Sequence, residues 1–577
     1  MHHTILGKDH PCKFVLFNVY HFVVFKDFYH IESKGFRFVL RNKLYRYVWR
    51  NLLVRKRNSY QTIFFQRRVG CHLSQSQPNI IFLMTDQQRW DCIGKFNEHI
   101  HTPTLDRLAA EGITYQNAVC QSPMCAPSRS SMMMGYYPSQ LGVRTNYGGL
   151  FEEDKLPSEP LPELMYRAGY QTAGFGKTHW NHSDGVEEPS TRGFEVRSIG
   201  LSRQSGHYEQ GATMMGDSHP EDLEAYHEET KDFGGGEENS NGYTGMTSRI
   251  RMNQHRDGWV AEQAIKFLKE GVDSERPLFF YLSFLKPHAG FNVPKEFEDL
   301  YNLKDIPDIL QPPWADEENT HLTASDELNT NSRKSYEDKR KVWEQRSPEE
   351  RRRTTLRYWA NCSWLDHYFG LALEQLKQLG RLEHALIVFV SDHGEMLSER
   401  QYRFTKYNLY DSSVRVPMIL SGTYLPKQKR GTVDHQPAEL VDLVPTLTRA
   451  AGLAANPMLP GVDLLGEIRH RGTFCEFHGK GVTAPHSAPA YMWRTAEWKL
   501  ILYIEGSALE AASRVHETKG ELYHLSTDLH EWTNLYDQEQ HAAIREQLKT
   551  ELLMHLAVSW AKGPFFYDRE GTKPLET

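Results

Sequence analysis

The sequence predicts an α/β fold. Three runs carry that expectation: Asn79-Ile80-Ile81-Phe82-Leu83-Met84, Leu278-Phe279-Phe280-Tyr281-Leu282-Ser283-Phe284 and Ala385-Leu386-Ile387-Val388-Phe389-Val390. Each is continuously apolar, as in parallel strands covered on both faces, and not alternating as in a half-exposed strand. Each then runs into polar residues: Thr85-Asp86-Gln87-Gln88, Lys286-Pro287-His288 and Ser391-Asp392-His393-Gly394-Glu395. In an open α/β sheet the carboxyl ends of the strands are where ligands bind, so three strands delivering Asp or His there point to one site.

Taken in order, the first 78 residues stand apart. Fourteen Lys/Arg against three Asp/Glu give this stretch +11, so the remainder of a chain of net charge -7 carries -18. Phe14 to Phe25 is a 12-residue apolar run, too short to span a bilayer and closer to the core of an export signal, but no small-residue cleavage pattern follows it. A degenerate signal, a basic membrane-surface segment and sequence upstream of the true start all fit. We expect residues 1–78 to lie outside the fold, because the well-patterned chain starts at Asn79. Nothing fixes the compartment, and no later segment is long and apolar enough to cross a membrane.

Thr102 to Ala110 should form a helix, with Thr102 as N-cap and Pro103 in its first turn. Asp316 to Arg353 reads as a charged insertion or surface helix leading into an amphipathic helix, Tyr358–Leu379, that ends at Gly380. A Pro/Gly-containing stretch near Asn456–Gly466 marks a boundary. Beyond it, strands are expected at Trp498–Tyr503 and Glu521–Leu525, with a helix from His541 to Trp560. There is no internal repeat.

With 39% hydrophobic and 24% charged residues the composition is that of a globular protein. The acidic body argues against a nucleic-acid partner, whose phosphates it would repel. Seven cysteines, at 12, 71, 92, 120, 125, 362 and 475, include no Cys-x-x-Cys pair, and their low density is no disulfide framework.

Cys125-Ala126-Pro127-Ser128-Arg129 resembles the Cys-x-Pro-x-Arg motif of the type I sulfatases. Gly135-Tyr136-Tyr137-Pro138 continues the resemblance, with Met134 where a Thr is usual. Gly169-Tyr170-Gln171-Thr172-Ala173-Gly174-Phe175-Gly176-Lys177-Thr178-His179 is similar to the second signature of that family, with Thr178 where an aromatic residue is common. Gly520-Glu521-Leu522-Tyr523-His524-Leu525-Ser526-Thr527-Asp528 resembles its C-terminal strand and turn, so the likeness spans about Asn79 to Asp537.

The resemblance implies an alkaline-phosphatase-like fold: a large mixed sheet between helices (79–465) and a small C-terminal antiparallel sheet plus helix (466–577). It implies hydrolysis of a sulfate ester, on a sulfated carbohydrate or a small sulfate ester. It also implies that a maturing enzyme oxidises Cys125 to formylglycine, whose hydrate attacks sulfur with one hydroxyl and expels sulfate through the other. Asp86, Gln87, Asp392 and His393, with modified Cys125, fall at the family's metal positions. Calcium is expected there, with manganese or zinc left open by the imidazole. Lys177, His179, His288 and Lys406 would bind sulfate and manage protons. Arg129 would bind the nucleophile oxygen and hold the site together.

Asp-Gln paired with Asp-His also occurs in phosphonate and phosphodiester hydrolases of the superfamily, so that activity is the rival on the same scaffold. A non-catalytic carbohydrate-binding relative would have lost site residues, and none is lost. An unmodified thiol enzyme is the third alternative. Substrate choice is expected to rest on loops such as 200–256 and 310–355, and Asp91 and Asp411 read as structural.

Overall fold

The computed structural model describes residues 77–146, 158–180, 193–198, 244–315, 340–479, 489–504, 508–513 and 518–562. The extension expected at 1–78 therefore lies outside the described residues, except for its last two. Those two are tied to the body: Gln77 Nε2 donates to the carbonyls of Ala168 and Ala451, at 3.1 and 2.7 Å, and Pro78 O accepts from the Tyr170 hydroxyl at 2.9 Å. Among the described residues no helix is long and apolar enough to cross a membrane.

The apolar runs are strands, as expected. β1 (Asn79–Asp86), β2 (Ile113–Val119), β3 (Gln171–Gly176), β4 (Val196–Ser198), β6 (Leu278–Pro287), β8 (Ala385–Ser391), β9 (Met418–Ser421) and β10 (Thr432–Glu439) form one sheet in the order β10-β2-β9-β8-β1-β6-β3-β4. A separate two-stranded ladder joins β5 (Thr247–Ser248) to β7 (Val293–Pro294). Every pairing in the large sheet is parallel except those of β9, which runs against both β2 and β8 and makes the sheet mixed.

β1 lies in the middle and is buried on both faces. Ile80, Phe82 and Met84 pack with Met132–Met134, Leu161 and Leu443, while Ile81 and Leu83 pack with Trp259, Trp364 and Phe369. This two-sided burial is why the run shows no alternation. The first face is covered by helices Cys125–Met134, Leu161–Arg167 and Leu443–Ala450. The second is covered by Pro103–Glu111, Arg256–Glu270 and Pro348–Gln378.

Two helix starts depart from the expectation. Pro348–Gln378 is one helix, so the charged run 348–353 forms its first turns. Ser347 caps it by accepting from Glu350 N, and Glu350 accepts from Ser347 N in return. Residues 316–339 lie outside the described set. At Pro103–Glu111, Thr102 caps nothing with its side chain. Asp366 on the long helix accepts from Thr104 N and Leu105 N instead, at 2.9 and 2.7 Å. The orphan donors of that helix start are met by a residue more than 250 positions away, which no local pattern reveals.

The C-terminal part holds an antiparallel sheet of β11 (Thr473–Phe477), β12 (Ala490–Arg494), β13 (Trp498–Tyr503) and β14 (Lys519–His524), with helix Ala542–Trp560. Alternation divides its strands: Cys475, Met492 and Ile501 join the main core, while Phe474, Trp493, Leu500 and Leu522 meet Leu548 and Leu552 of the helix.

Candidate active site

Strand register brings the site together. Thr85 pairs with Ser391, Met84 with Ser283, and Ser283 with Gly176. These four strand ends lie side by side, so the residues just beyond them, Asp86, Asp392 and Lys177, emerge along one edge. His288 follows the end of β6. At Gly176, φ is +84° and a Cβ would stand 1.8 Å from Ser283 O, so only glycine fits. The turn it permits lets Lys177 N donate to Ser283 O at 3.0 Å and aims the lysine inward.

Cys125 is the first residue of helix Cys125–Met134, where unpaired backbone N–H groups favour negative charge. Pro127 sits in the first turn, where a missing N–H costs no helical hydrogen bond. Arg129 is one turn along and fully buried. Its Nε donates to Asp392 Oδ2 at 2.6 Å and a terminal nitrogen to Asp86 Oδ2 at 3.0 Å. The other terminal nitrogen donates to Lys177 O at 2.9 Å and Ser283 Oγ at 3.1 Å. The fork thus clamps two carboxylates and two strand ends, which a lysine could not do.

The Cys125 sulfur is ringed by cations and imidazoles. Lys406 Nζ lies 2.8 Å away, His393 Nε2 3.3 Å and Asp86 Oδ1 3.8 Å. His179 and His288 also hydrogen-bond this sulfur. His179 has a φ of +60°, a strained setting for a side-chain-bearing residue of the kind that gathers at functional sites. All the residues singled out from sequence therefore converge on Cys125 or on the carboxylates beside it.

Charge is arranged to favour an anion at Cys125. Burial opposes ionisation, but Lys177, Lys406 and His393 outweigh it and hold the thiol well below its usual range. Burial and the Cys125 thiolate likewise work against Asp86, yet Lys177 (2.5 Å from Oδ2), Arg129 and His288 keep its carboxyl far below the ordinary carboxylate value. Asp392 goes the other way: burial, with Asp86 nearby, pushes it up against the pull of Arg129. Burial and the Lys406 ammonium push His288 down to about 3, so it is a neutral imidazole at neutral pH.

The donor set fits a cation. Asp86, Cys125, Asp392 and His393 each offer one ligand atom, all within 4.8 Å of one another. His393 Nδ1 faces Gly394 O at 3.0 Å, and its Nε2 lies toward Cys125 and, 3.1 Å away, Lys406 Nζ. Gln87 Oε1 is buried with no hydrogen-bond partner, the state expected of an oxygen meant for a metal.

Some participants were not singled out from the sequence. Tyr281 donates to Lys177 O at 2.8 Å, and the Tyr358 hydroxyl donates to Gln87 O at 2.6 Å. Glu395 is fully buried and accepts from Gln87 Nε2. Its place in the Asp-His-Gly-Glu run was the available signal; Tyr358, mid-helix, carried none.

The family model described as Sulfatase matches residues 78–453. The chain belongs to the sulfatase family. A second model, described as the C-terminal part of N-sulphoglucosamine sulphohydrolase, matches residues 399–557 of this sulfatase. An arylsulfatase of Clostridium perfringens is 29% identical over 69% of this chain and 79% of its own. The solved phosphonate monoester hydrolase of Agrobacterium radiobacter superposes with a TM-score of 0.64 at 20% identity, covering 84% of this chain and 96% of that one. A structure in complex with its substrate D-glucosamine-2-N,6-O-disulfate gives 0.62 at 19% identity, over 86% and 100%. At such identities the two structures establish the shared fold, a large mixed sheet with helices and a small C-terminal antiparallel sheet. Family membership makes this sulfatase a sulfuric ester hydrolase.

Proposed function

We propose that the enzyme hydrolyses the sulfate ester of a sulfated carbohydrate or a small alcohol, R-O-SO3⁻ to R-OH and sulfate, with formylglycine derived from Cys125 as nucleophile. The observation that carries this is the convergence on one sulfur of two ammonium groups and three imidazoles, beside two carboxylates. Residues 79–465 would be the catalytic part, 466–577 a supporting subdomain and 1–78 an extension whose last two residues are anchored on the catalytic part.

Asp86, Gln87, Asp392 and His393, with the modified Cys125, would hold a divalent cation, which when bound supplies positive charge to the nucleophile and the sulfate. Maturation exchanges the soft sulfur donor for oxygen, so the matured shell has one nitrogen among oxygens and favours calcium. The hydrated aldehyde supplies an attacking hydroxyl and a second whose deprotonation expels sulfate. Lys177 and Lys406 would neutralise the sulfate oxygens, and Arg129 would hold the two carboxylates and the nucleophile's helix in register. His288, neutral, would donate to the oxygen of the departing alcohol. His179 would hold or take the proton of the nucleophile diol. A sulfatase-maturing enzyme is the implied partner.

A sugar sulfate is favoured by the neighbour solved with a glucosamine disulfate and by the polar character of loop 200–256, most of which lies outside the described residues. Turnover of 4-nitrophenyl sulfate against phenyl phosphonate esters, followed by a panel of sulfated glycans, tests the reading. We expect the sulfate ester to be preferred; faster phosphonate hydrolysis would transfer the chain to the rival activity. Mass spectrometry of the peptide carrying residues 120–129 should find an aldehyde in active protein, and an intact thiol would refute the nucleophile.

A further inference from the structure

Gln87 is an unusual choice for a cation site, because an amide presents its oxygen or its NH2 group with equal ease. A carboxylate would present an oxygen either way. Something must therefore fix which end faces the Asp86–Asp392 cluster. Glu395 accepts from Gln87 Nε2 through Oε2, and from the backbone N–H groups of Leu397, at 3.0 Å, and Thr405 through Oε1. Two backbone N–H groups thus hold Oε1, and Oε2 is the oxygen turned to Gln87. The end of Gln87 that meets Oε2 is its NH2, which donates there. The oxygen is then turned to the opposite side, where it is buried without a hydrogen-bond partner.

We propose that Glu395 is a positioning residue that sets the amide of Gln87 oxygen-first toward the cation, making an otherwise ambiguous side chain a metal ligand. The inference rests on the metal site proposed above. The two backbone donors on Oε1 give it a sharp consequence. In Glu395→Gln the new side chain must keep its own oxygen toward Leu397 N and Thr405 N. Its NH2 then points at Gln87, whose amide has to reverse and present NH2 to the cation. Exchanging the pair, Gln87→Glu with Glu395→Gln, restores the pattern: the carboxylate at 87 accepts from the amide at 395 with one oxygen and offers the other to the metal.

The test is calcium binding to the purified full-length chain by titration calorimetry, repeated with manganese and zinc, with thermal unfolding in EDTA as the control on folding. E395Q should weaken calcium affinity by about 10- to 100-fold, the usual range for a residue that orients a ligand, while its unfolding in EDTA stays near that of the parent. The double variant Q87E/E395Q should regain most of the lost affinity. Parental affinity in E395Q, or no recovery in the double variant, overturns the assignment. So does a failure of both variants to fold, which would make Glu395 a support of the fold. A parent chain that binds none of the three cations would instead defeat the metal reading itself.

Discussion

Two clusters of buried charge stand in this molecule, and the difference between them separates a site from glue. One lies where the main sheet meets the C-terminal sheet. Asp411 there accepts from Arg494 at 3.0 Å through each oxygen, from Lys499 at 2.9 Å and from Arg415 at 3.3 Å. Glu531 pairs with the same lysine at 2.5 Å and accepts from Asp411 N at 2.7 Å. Both Asp411 oxygens are occupied by protein donors, so the cluster is self-satisfied. The other cluster, around Cys125, contains as many cations, yet it leaves Gln87 Oε1 without a partner. Burial and strong pairing are common to both. In the first, every carboxylate oxygen has a cation or an N–H beside it; the second leaves the buried amide oxygen of Gln87 without one, as a site for a bound group would.

The contrast breaks most visibly at the nucleophile. Cys125→Ala should lower turnover of a sulfate ester by about 10⁴-fold or more, as loss of a nucleophile does, with unfolding temperature little changed; retained activity would remove Cys125 from the chemistry. Asp411→Asn should do the reverse. It takes the shared carboxylate from Arg494, Lys499 and Arg415, and denaturant titration should show a loss of about 3–5 kcal/mol, with kcat per folded molecule unaltered. His288→Asn should reduce kcat by about 10²- to 10³-fold, the usual effect of removing one donor to developing charge, with KM moving less.

A smaller effect tests the segment that leads into β11. Burial opposes protonation of His470, but Asp442, 2.7 Å away, raises it to about 9. A raised imidazole stabilises fully below its unfolded value, near 6.5, and that stabilisation is lost as pH climbs through about 9. His470→Gln should therefore cost about 1–2 kcal/mol at pH 6 and almost nothing at pH 10, measured by thermal unfolding across that range. A pH-independent difference would show that packing, and not the ion pair, is what His470 contributes.

Much of this was readable from the chain alone, and the reason is physical. The central strands announce themselves because burial on both faces demands unbroken apolar runs, and the residues just beyond them meet at the candidate site because the sheet ends there. β9 and β10 were not legible: Met418–Ser421 has four residues, and Thr432–Glu439 is polar and part-exposed, so neither has a period to detect. Thr102 looked like a cap by local rule, yet the cap was Asp366, brought there by packing. The proposed ligand residues were legible through motifs; their contacts with Glu395 and Tyr358 are ones that only the fold creates.

The central claim is that the cluster at Asp86, Gln87, Asp392 and His393 is built for a cation while the Asp411 cluster is complete without one. Calcium titrations of the parent chain, Asp392→Asn and Asp411→Asn test it in one experiment. The account requires a single site in the parent, lost in Asp392→Asn and kept in folded Asp411→Asn. Undiminished binding in Asp392→Asn, or loss of binding confined to Asp411→Asn, would contradict it.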